Sequence, residues 1–454
     1  MGERLIVVGA DAAGMSAASQ ARRRRDRRDL QILAFERGER TSYSACGIPY
    51  WIGGLVEQED DLIARTPEQH RERDIDVRTG HDVVAIDLDA RAVTVRDPDG
   101  GEAVHGFDQL MIATGGEPRV PDWPGIGGKG VHGVQTLDDG EAVRATLRVR
   151  KAERAVVIGG GYIGIEMAEA LLSKGLSVTL VERSAQPMNT LDPDMGALVG
   201  AELTKLGVDV RNGVTVSGIE LDDDGWVRAV TTDAGEFAAD VVVLGLGTRP
   251  GVGLAREAGL PIGPSGGIVT DRRMRVPGHE GIWAAGDCVE VFHRVTAGPA
   301  AIALGTHANK QGRVAGINIG GGYATFPGVV GTAVTKVCEL EIARTGLKES
   351  EAERAGFAFV TATIESHTVA GYYPGAGTVT VKLVAERGTG RLLGGQIVGG
   401  AGAAKRIDVL AVALWNQMTV DELTGLDLAY APPFSPVWDP VLVAARAASD
   451  ALHG

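Results

Sequence analysis

The sequence predicts an α/β protein with two parallel-sheet domains and a smaller antiparallel α+β domain. One observation is a pattern of apolar strand, glycine turn, small-residue helix, second apolar strand and acidic residue, which occurs twice and is typical of βαβ units. A second is the alternation of apolar and polar residues from about Phe326 onward, with glycine turns of the kind that join hairpin strands. A third is the length of 454 residues, which exceeds what one hydrophobic core supports.

Composition and charge restrict the class of protein further. Hydrophobic residues make up 44% of the chain, and its 65 glycines are about twice the usual share of roughly 7%. The net charge of −14 argues against nucleic acid or an anionic membrane as the main partner. No apolar run approaches the ~18 residues of a membrane span, and the three cysteines and nine histidines lack the spacing of a disulfide framework or a metal site. We therefore expect a cytoplasmic protein without nucleic-acid, membrane or metal partners.

The first βαβ pattern is RLIVVGADAAGMSAASQARRRR followed by LQILAFE. Gly9 and Gly14 stand where a dinucleotide-binding turn needs a tight bend and close packing of helix on strand. Asp11 replaces the glycine that lets the backbone approach a pyrophosphate, and its position predicts a helix N-cap whose carboxylate faces the helix amides. Glu36 ends the second strand and completes the pattern.

The second pattern, RAVVIGGGYIGIEMAEALLSKG followed by SVTLVE, is complete. Gly159, Gly161 and Gly164 provide the tight turn, the close approach of a pyrophosphate and the packing of the helix on the strand. Glu182 lies where a carboxylate accepts hydrogen bonds from a ribose 2′-hydroxyl, which favours NADH over NADPH, and Arg183 beside it reduces that preference. The two patterns together predict two Rossmann-like dinucleotide-binding domains in one chain.

An isolated cysteine lies between the two patterns, in the stretch SYSACGIPYW. Gly47 and Pro49 place Cys46 in a rigid turn. Thr41 and Trp51 occupy the positions five residues before and after it, so no partner thiol is near in sequence. A thiol of this kind has two reversible oxidised forms, a sulfenic acid and a mixed disulfide with an external thiol.

These stretches, together with LMIATGGEPRVP, GIWAAGDCVEV and YAPPFSPVWDPV, make the chain resemble the pyridine nucleotide-disulfide oxidoreductases over essentially its whole length. The single cysteine is similar to that of the coenzyme A disulfide reductases, NADH oxidases and NAD(P)H sulfur reductases. The resemblance implies an FAD-binding domain (1–116 and 249–325), an NAD(P)H-binding domain (117–248) and an α+β dimerisation domain (326–454). It also implies a homodimer.

The resemblance assigns FAD to the first βαβ unit and NAD(P)H to the second. It implies that Asp287 contacts the ribityl chain of FAD, that Tyr162 gates the nicotinamide pocket and that Glu166 lies beside it. The full set of predicted FAD-binding residues is Gly9, Ala12, Gly14, Glu36, Arg37, Ser44, Thr114, Gly115, Gly286 and Asp287. The full set of predicted NAD-binding residues is Gly159, Gly161, Tyr162, Ile163, Gly164, Glu166, Glu182 and Arg183. NADH is the expected donor, with NADPH as the second candidate.

The resemblance also implies a catalytic centre around the lone cysteine. The catalytic candidates are Cys46, Tyr430, Tyr372 and Tyr373. We expect Tyr430 of the other subunit to protonate the departing thiolate, with one ring of the YYPG turn nearby, because the C-terminal segment lacks the histidine that disulfide reductases use. The candidates for binding coenzyme A, held as a mixed disulfide, are Gln20, Arg23 and Ser42.

Three functions fit this constellation. The favoured one is flavin-dependent NAD(P)H reduction of coenzyme A disulfide, or of a related disulfide or persulfide, through Cys46. The alternative is an NADH oxidase that reduces O2 to hydrogen peroxide or water, although Ala12 stands where water-forming oxidases and peroxidases of this branch carry histidine. Ala45 stands where many reductases carry asparagine, which counts against the favoured function. The third is a non-catalytic redox-sensing flavoprotein, which the presence of Cys46 disfavours.

Several other residues have structural interpretations. Cys288 follows a flavin motif and Cys338 is predicted to lie in a strand, so we expect both to be buried packing residues. The arginines of residues 22–28 fit the solvated end of the first helix, with one or two of them available for a phosphorylated substrate. Phe434 and Trp438 are expected to pack at an interface, and His307 is expected to pack rather than catalyse.

Overall fold

The computed structural model describes residues 2–454 and contains both predicted βαβ units, followed by an antiparallel sheet. The first stretch of the chain comprises β1 (Glu3–Val8), α1 (Ala12–Arg22), β2 (Leu30–Phe35), α2 (Ile48–Gly53), α3 (Pro67–Arg71), β3 (Asp76–Arg78), β4 (Asp82–Asp87), β5 (Ala92–Arg96), β6 (Glu102–Gly106), β7 (Gln109–Ile112) and β8 (Gly116–Pro118). The middle stretch comprises β9 (Val131–His132), α4 (Leu137–Arg150), β10 (Arg154–Ile158), α5 (Tyr162–Ser173), β11 (Ser177–Glu182), α6 (Pro193–Lys205), β12 (Asp209–Asn212), β13 (Val216–Leu221), β14 (Val227–Thr232), β15 (Gly235–Ala238), β16 (Val241–Leu244) and β17 (Thr248–Pro250).

The remaining elements return to the first sheet and then form the C-terminal region. They are α7 (Gly253–Glu257), β18 (Ile268–Val269), β19 (Ile282–Ala284), β20 (Val289–His293), β21 (Gly298–Ala300), α8 (Gly305–Ile319), β22 (Ala333–Val337), β23 (Leu340–Gly346), α9 (Glu349–Arg354), β24 (Phe359–His367), β25 (Thr378–Glu386), β26 (Leu392–Gly399), α10 (Ile407–Trp415), α11 (Val420–Thr424) and α12 (Pro440–His453).

The first region is a parallel sheet of order β19-β7-β1-β2-β3. Four successive residues of β1, from Leu5 to Val8, are buried, as expected for a strand covered on both faces. Helix α1 packs closely on α8, since a Cβ at Gly312 would lie only 2.2 Å from the carbonyl oxygen of Ala13. Strand β19 joins this sheet after the chain has formed the second parallel sheet, so the first region is built from two separate stretches of the chain.

The second region is a parallel sheet of order β12-β11-β10-β16-β9. The chain enters and leaves it beside the antiparallel pair β8 and β17. Helix α2, which follows the isolated cysteine, packs on α5, and Ile48, Trp51 and Ile52 are buried in the core of this second region. The cysteine segment thus connects the two parallel sheets. The exact domain boundaries stay predictions.

The C-terminal region is an antiparallel sheet of order β22-β23-β26-β25-β24, with α10 and α12 packed on it. Helix α11 begins with the predicted capping box: the amide of Glu422 donates to the Thr419 hydroxyl (3.1 Å), and the amide of Thr419 donates to the Glu422 carboxylate (2.8 Å). Across residues 2–454 we find no helix both long and apolar enough to cross a bilayer.

The two cysteines outside the SYSACG turn differ from each other. As predicted, Cys288 is fully buried. Its thiol donates to the carbonyl of Ala285 (3.3 Å). The prediction for Cys338 is wrong: it lies in the turn between β22 and β23, with φ +49°, and is only half-buried. The alternating pattern runs through this two-residue turn without a glycine or proline to mark it, which made the hairpin resemble one strand.

Candidate active site

Both glycine turns have the geometry of dinucleotide-binding loops. Gly9 has φ +93°, and a Cβ at Gly14 would lie 2.0 Å from the carbonyl oxygen of Gly9. In the second unit Gly159 has φ +98°, and a Cβ at Gly164 would lie 1.8 Å from its carbonyl oxygen. Each helix therefore packs against its turn at a distance that only glycine permits.

The middle position distinguishes the two turns. A Cβ at Gly161 would meet no atom within 4 Å, so open space lies beside the start of α5. This is the space that a pyrophosphate requires at the N-terminus of the helix. The residues present therefore fit a dinucleotide at the second unit.

A carboxylate covers each turn from the end of the following strand. Glu36 accepts hydrogen bonds from the amides of Ala10 (2.9 Å) and Gly38 (3.0 Å). Glu182, which is buried, accepts hydrogen bonds from the amides of Gly160 (2.6 Å) and Ser184 (2.6 Å). The two acidic residues therefore occupy equivalent positions, at the strand ends where this fold binds ribose hydroxyls.

Asp11 does not behave as the predicted cap. It is the N-cap residue of α1, but its carboxylate makes no capping hydrogen bond to the helix amides and instead accepts one from the amide of Tyr43 (3.3 Å). The side chain turns toward the loop that crosses the turn on the way to the cysteine. Burial raises the pKa of Asp11 to about 6, and the charge of Glu36 adds to the rise, against the opposing effect of the Tyr43 amide.

Other predicted FAD residues lie at the ends of neighbouring strands. The hydroxyl of Thr114, after β7, donates to the carbonyl of Gly251 (2.6 Å). Asp287 follows β19, the strand that pairs with β7, and burial raises the pKa of its carboxyl. The remaining members of this predicted set are Ala12 as the first residue of α1, Gly115 and Gly286 at the same strand ends, and Arg37 and Ser44 as exposed residues.

Cys46 lies between the two dinucleotide units. It occupies a single 3-10 turn, Ala45–Gly47, that leads directly into α2. Although the residue is exposed, the protein atoms around the thiol displace enough water to raise its pKa, and the carboxylates of Glu166 and Asp287 raise it further. The structure therefore brings the thiol near one acidic residue from each unit.

Glu166 and Tyr162 lie one turn apart on α5. Glu166 accepts a hydrogen bond from the hydroxyl of Thr335 (2.7 Å), and burial raises the pKa of its carboxyl. Burial also raises the pKa of the Tyr162 phenol, which faces Arg344 and Glu351 of the C-terminal region. These two predicted NAD residues therefore lie where α5 meets the third region, while Ile163 is partly buried beside them and Arg183 is exposed.

Two of the residues predicted to bind coenzyme A, Ser42 and Gln20, make hydrogen bonds to other side chains of the protein. The hydroxyl of Ser42 lies 3.0 Å from Nε2 of His70, and Ser42 has a left-handed φ of +53°. The side-chain oxygen of Gln20 accepts a hydrogen bond from Arg24 (3.0 Å). His70 is buried, and burial, with the nearby charges of Arg65 and Arg73, lowers its pKa to about 4. His70 is thus a neutral partner for Ser42 at physiological pH.

Three guanidinium groups form a cluster beside this site, which we call the arginine cluster: Arg23, Arg65 and Arg73. Burial and the charges of Arg73 and Arg23 lower the pKa of Arg65. Within residues 2–454, no acidic side chain forms an ion pair with any of the three. Sequence reasoning identified only Arg23. The other two flank α3, and no spacing rule connects them to α1 before the chain folds.

The rest of the arginine run has structural contacts. Arg22 donates to the carbonyl oxygens of Leu30 (2.6 Å) and Asp74 (3.0 Å). Arg25 pairs with Glu3 at 2.7 Å, and Arg27 with Asp74 at 3.4 Å.

The predicted tyrosines lie on the C-terminal region. Tyr372 and Tyr373 occupy the loop between β24 and β25, and Tyr430 precedes α12. Slight desolvation and the adjacent Tyr372 phenol raise the pKa of Tyr430, so the structure pairs Tyr430 with Tyr372. Phe434 and Trp438 extend this group, and all five rings are exposed on the single chain. We refer to these five side chains as the aromatic surface.

His307 is a half-buried residue at the start of α8, with Nδ1 3.4 Å from the carbonyl of Ile302.

Comparison with known proteins assigns the fold and site to a class. Residues 3–312 match the family described as pyridine nucleotide-disulphide oxidoreductase, and residues 332–440 match the dimerisation domain of that family. The chain belongs to this family and is an oxidoreductase. The predicted fold class, family and enzyme class are therefore confirmed. The family implies FAD and NAD(P)H as cofactors, and the two glycine turns fit one dinucleotide each.

Individual relatives indicate the branch. The chain is 40% identical over 98% of both chains to an NAD(P)H coenzyme A polysulfide/persulfide reductase from Pyrococcus horikoshii. It is 36% identical, again over 98% of both chains, to an NADH oxidase from Methanocaldococcus jannaschii. A solved NAD-dependent persulfide reductase from A. fulgidus superimposes with a TM-score of 0.95 at 40% identity, covering 99% of this chain and 84% of that one. The similarities include both reductases and oxidases of the predicted single-cysteine branch.

Proposed function

We propose that the chain uses NADH and FAD to reduce a disulfide or persulfide of the coenzyme A type through Cys46. The observation that carries the proposal is the position of this thiol beside Glu166 of the second unit and Asp287 of the first. Electrons from a nicotinamide at the second unit can pass to a flavin at the first unit. A thiol at the junction of the two units can then accept them.

The reaction requires one thiol and two electrons in each turnover. The Cys46 thiolate attacks a sulfur of the substrate, which breaks the S–S bond, forms a mixed disulfide and releases one thiolate. FAD, when bound, supplies the relay that passes an electron pair from NADH to that mixed disulfide. The pair cleaves the new S–S bond and regenerates the Cys46 thiolate. For a disulfide the balance is RSSR + NADH + H⁺ → 2 RSH + NAD⁺, and for a persulfide the products are RSH and hydrogen sulfide.

The arginine cluster supports a phosphorylated substrate. Three guanidinium groups without acidic partners present planar forks of donors that match phosphate oxygens. Ser42 contacts His70, which faces Arg65 and Arg73, and Gln20 precedes Arg23 by less than one turn of α1. A thiol that carries phosphate groups, as coenzyme A does, is favoured here over a small neutral thiol.

Proton delivery to the leaving thiolate falls to Tyr430 in this proposal. The pairing with Tyr372, and the exposure of both rings on one chain, support a role in which a second copy of the chain covers them. The family's dimerisation domain spans residues 332–440, which includes both tyrosines. We therefore propose a homodimer in which Tyr430 completes the partner's site.

NADH is the preferred donor in this proposal. Glu182 is buried at the end of β11 with its carboxylate over the turn. An ionised carboxylate there accepts hydrogen bonds from ribose hydroxyls and repels a 2′-phosphate. Arg183 is exposed beside it and offers NADPH a weaker site.

An NADH oxidase is the second candidate, and the relative from Methanocaldococcus jannaschii supports it. In that function O2 accepts the electrons and Cys46 passes through a sulfenic acid. The arginine cluster has no use in that reaction, so we favour the reductase.

The test is anaerobic turnover of NADH with coenzyme A disulfide. Cys46→Ser removes the attacking thiol, and we expect it to abolish coenzyme A release while FAD stays bound. Arg65→Ala should raise KM for coenzyme A disulfide about tenfold or more, with little change in kcat, because charge-assisted hydrogen bonds to phosphate contribute about 1.5–3 kcal/mol. Unchanged turnover by Cys46→Ser would eliminate the proposed mechanism. Activity with O2 alone would favour the oxidase.

A further inference from the structure

The two dinucleotide units of this chain differ at one position that lies against the pyrophosphate. Gly161 and Asp11 are both N-cap residues, of α5 and α1, at the middle position of their glycine turns. The backbone angles are similar, with φ −78° and ψ −169° at Gly161 and φ −119° and ψ −146° at Asp11. At Gly161 a side chain would enter open space beside the start of α5. The first unit has a carboxylate side chain, that of Asp11, at the equivalent position.

The carboxyl of Asp11 retains unused hydrogen-bonding capacity. It accepts a hydrogen bond from the amide of Tyr43, at 3.3 Å, and the nearby amides of Ala12 and Ser42 also act to lower its pKa, which leaves part of the carboxyl's acceptor capacity free. Glu36, the other acidic side chain at this turn, has one backbone amide on each oxygen. The carboxyl of Asp11 therefore still has the capacity to contact a ligand, whereas two amides hold Glu36 at the strand end where this fold binds ribose hydroxyls.

An ionised Asp11 conflicts with the cofactor that this turn fits. FAD brings a pyrophosphate with two negative charges to the N-terminus of α1, where the helix dipole favours an anion. A carboxylate at the middle position would add a third charge beside them, with Glu36 already near. A neutral carboxylic acid in the same place has an O–H group that donates to a phosphate oxygen.

We propose that Asp11 binds FAD as a neutral carboxylic acid, so that formation of the holoenzyme takes up one proton. Asp11 accepts this proton from solvent as the pyrophosphate arrives, and no bond other than O–H is made or broken. Burial already raises the pKa of Asp11 to about 6 without the phosphate charges, and those charges raise it further. The inference depends on FAD binding alone and is independent of the thiol substrate.

Neighbouring groups define the pH window of a test. The titratable groups that face Asp11 are Glu36, at the end of β2, and Tyr43, whose phenol has a pKa raised by burial and therefore stays neutral below pH 8. Asp287 is a second carboxyl of the FAD unit whose pKa is raised by burial. A variant at Asp11 is therefore needed to separate its proton from that of Asp287.

The experiment is equilibrium release of FAD from diluted holoenzyme, followed by the fluorescence of free flavin between pH 5 and pH 8. For the wild-type protein we expect a Kd that is constant below about pH 6 and rises up to about tenfold per pH unit above it, because the free form loses the proton first. Asp11→Asn keeps a donor of the same shape without a titrating proton. Its Kd should stay within about threefold of the low-pH wild-type value and change little with pH.

Asp11→Gly provides a second variant that restores the residue type of the second unit. It removes both the donor and the charge, so its Kd should also be independent of pH. Melting curves of both variants exclude loss of fold as the cause. A wild-type Kd that does not change with pH would overturn the inference, as would an Asp11→Asn variant that retains the wild-type pH dependence. Neither result would affect the test of Cys46, because that assay compares coenzyme A release and is run with FAD added to saturation.

Discussion

At the scale of single residues, the reactivity of Cys46 depends on the partial enclosure of its sulfur and on the acidic side chains that face it. Enclosure of the sulfur raises the pKa of the thiol most, and the carboxylates of Glu166 and Asp287 raise it further, so all three favour the protonated form. Burial raises the pKa of Cys338, and Glu169, one turn further along α5, raises it further. The two acidic residues of α5 therefore influence different cysteines.

Glu166→Gln should accelerate alkylation of Cys46. Loss of the negative charge lowers the pKa of the thiol and increases the thiolate fraction at pH 7, where the thiolate is the nucleophile. We expect an increase of about two- to tenfold in the rate with iodoacetamide, since tenfold corresponds to about 1.4 kcal/mol. The rate is measured by peptide mass mapping of the reduced protein.

Glu169→Gln is the matched control for that experiment. It removes the same charge from the same helix, and it should accelerate Cys338 while leaving the rate at Cys46 unchanged. Equal acceleration of Cys46 by both variants would show that the effect is not specific to the carboxylate of Glu166.

At the scale of elements, the glycines of the second turn have separable roles. Gly164 packs α5 on the turn, while Gly161 borders open space. Gly164→Ala should lower the free energy of unfolding by about 1–3 kcal/mol through overpacking, despite the better helix propensity of alanine. Gly161→Ala should leave the unfolding free energy within about 0.5 kcal/mol but weaken NADH binding. Denaturant unfolding and NADH titration measure the two effects, and equal destabilisation by both substitutions would contradict the assigned roles.

Some elements were predictable from the sequence because the residues that define them lie close together along the chain. Both βαβ units and the capping box at Thr419 follow from residues within a few turns of one another. The arginine cluster was not predictable, because α3 reaches α1 only through the tertiary fold. Asp11 was placed at the right position but given the wrong contact, since the loop at Tyr43 that binds its carboxylate lies more than thirty residues away. Cys338 was misplaced because its turn lacks the usual turn residues.

At the scale of the whole molecule, the aromatic surface has the exposure expected of a protein interface. Phe434 is 76% exposed, Tyr372 78% and Tyr430 48% on the single chain. Exposed apolar groups collected on one region are typical of protein interfaces. Their position on the region that matches the dimerisation domain favours a second copy of this chain as the partner.

Phe434→Glu should disrupt the dimer, because it places a charge in a face that would be covered. We expect light scattering to show a shift to monomer and anaerobic disulfide reduction to fall at least about tenfold, a loss equivalent to about 1.4 kcal/mol, as Tyr430 leaves its partner's site. Val104→Glu is the control, since Val104 is 71% exposed on β6, in the first region. An intact dimer for Phe434→Glu would show that the aromatic surface is not the interface.

The central claim, that Cys46 carries the substrate as a mixed disulfide, is tested most directly by intact mass. The reduced protein is mixed with coenzyme A disulfide in the absence of NADH, so that the mixed disulfide accumulates. The account predicts one reductant-labile adduct of about 766 Da on the wild-type chain, mapping to Cys46, and none on Cys46→Ser. The absence of an adduct on the wild-type chain, or an equal adduct on Cys46→Ser, would contradict the claim.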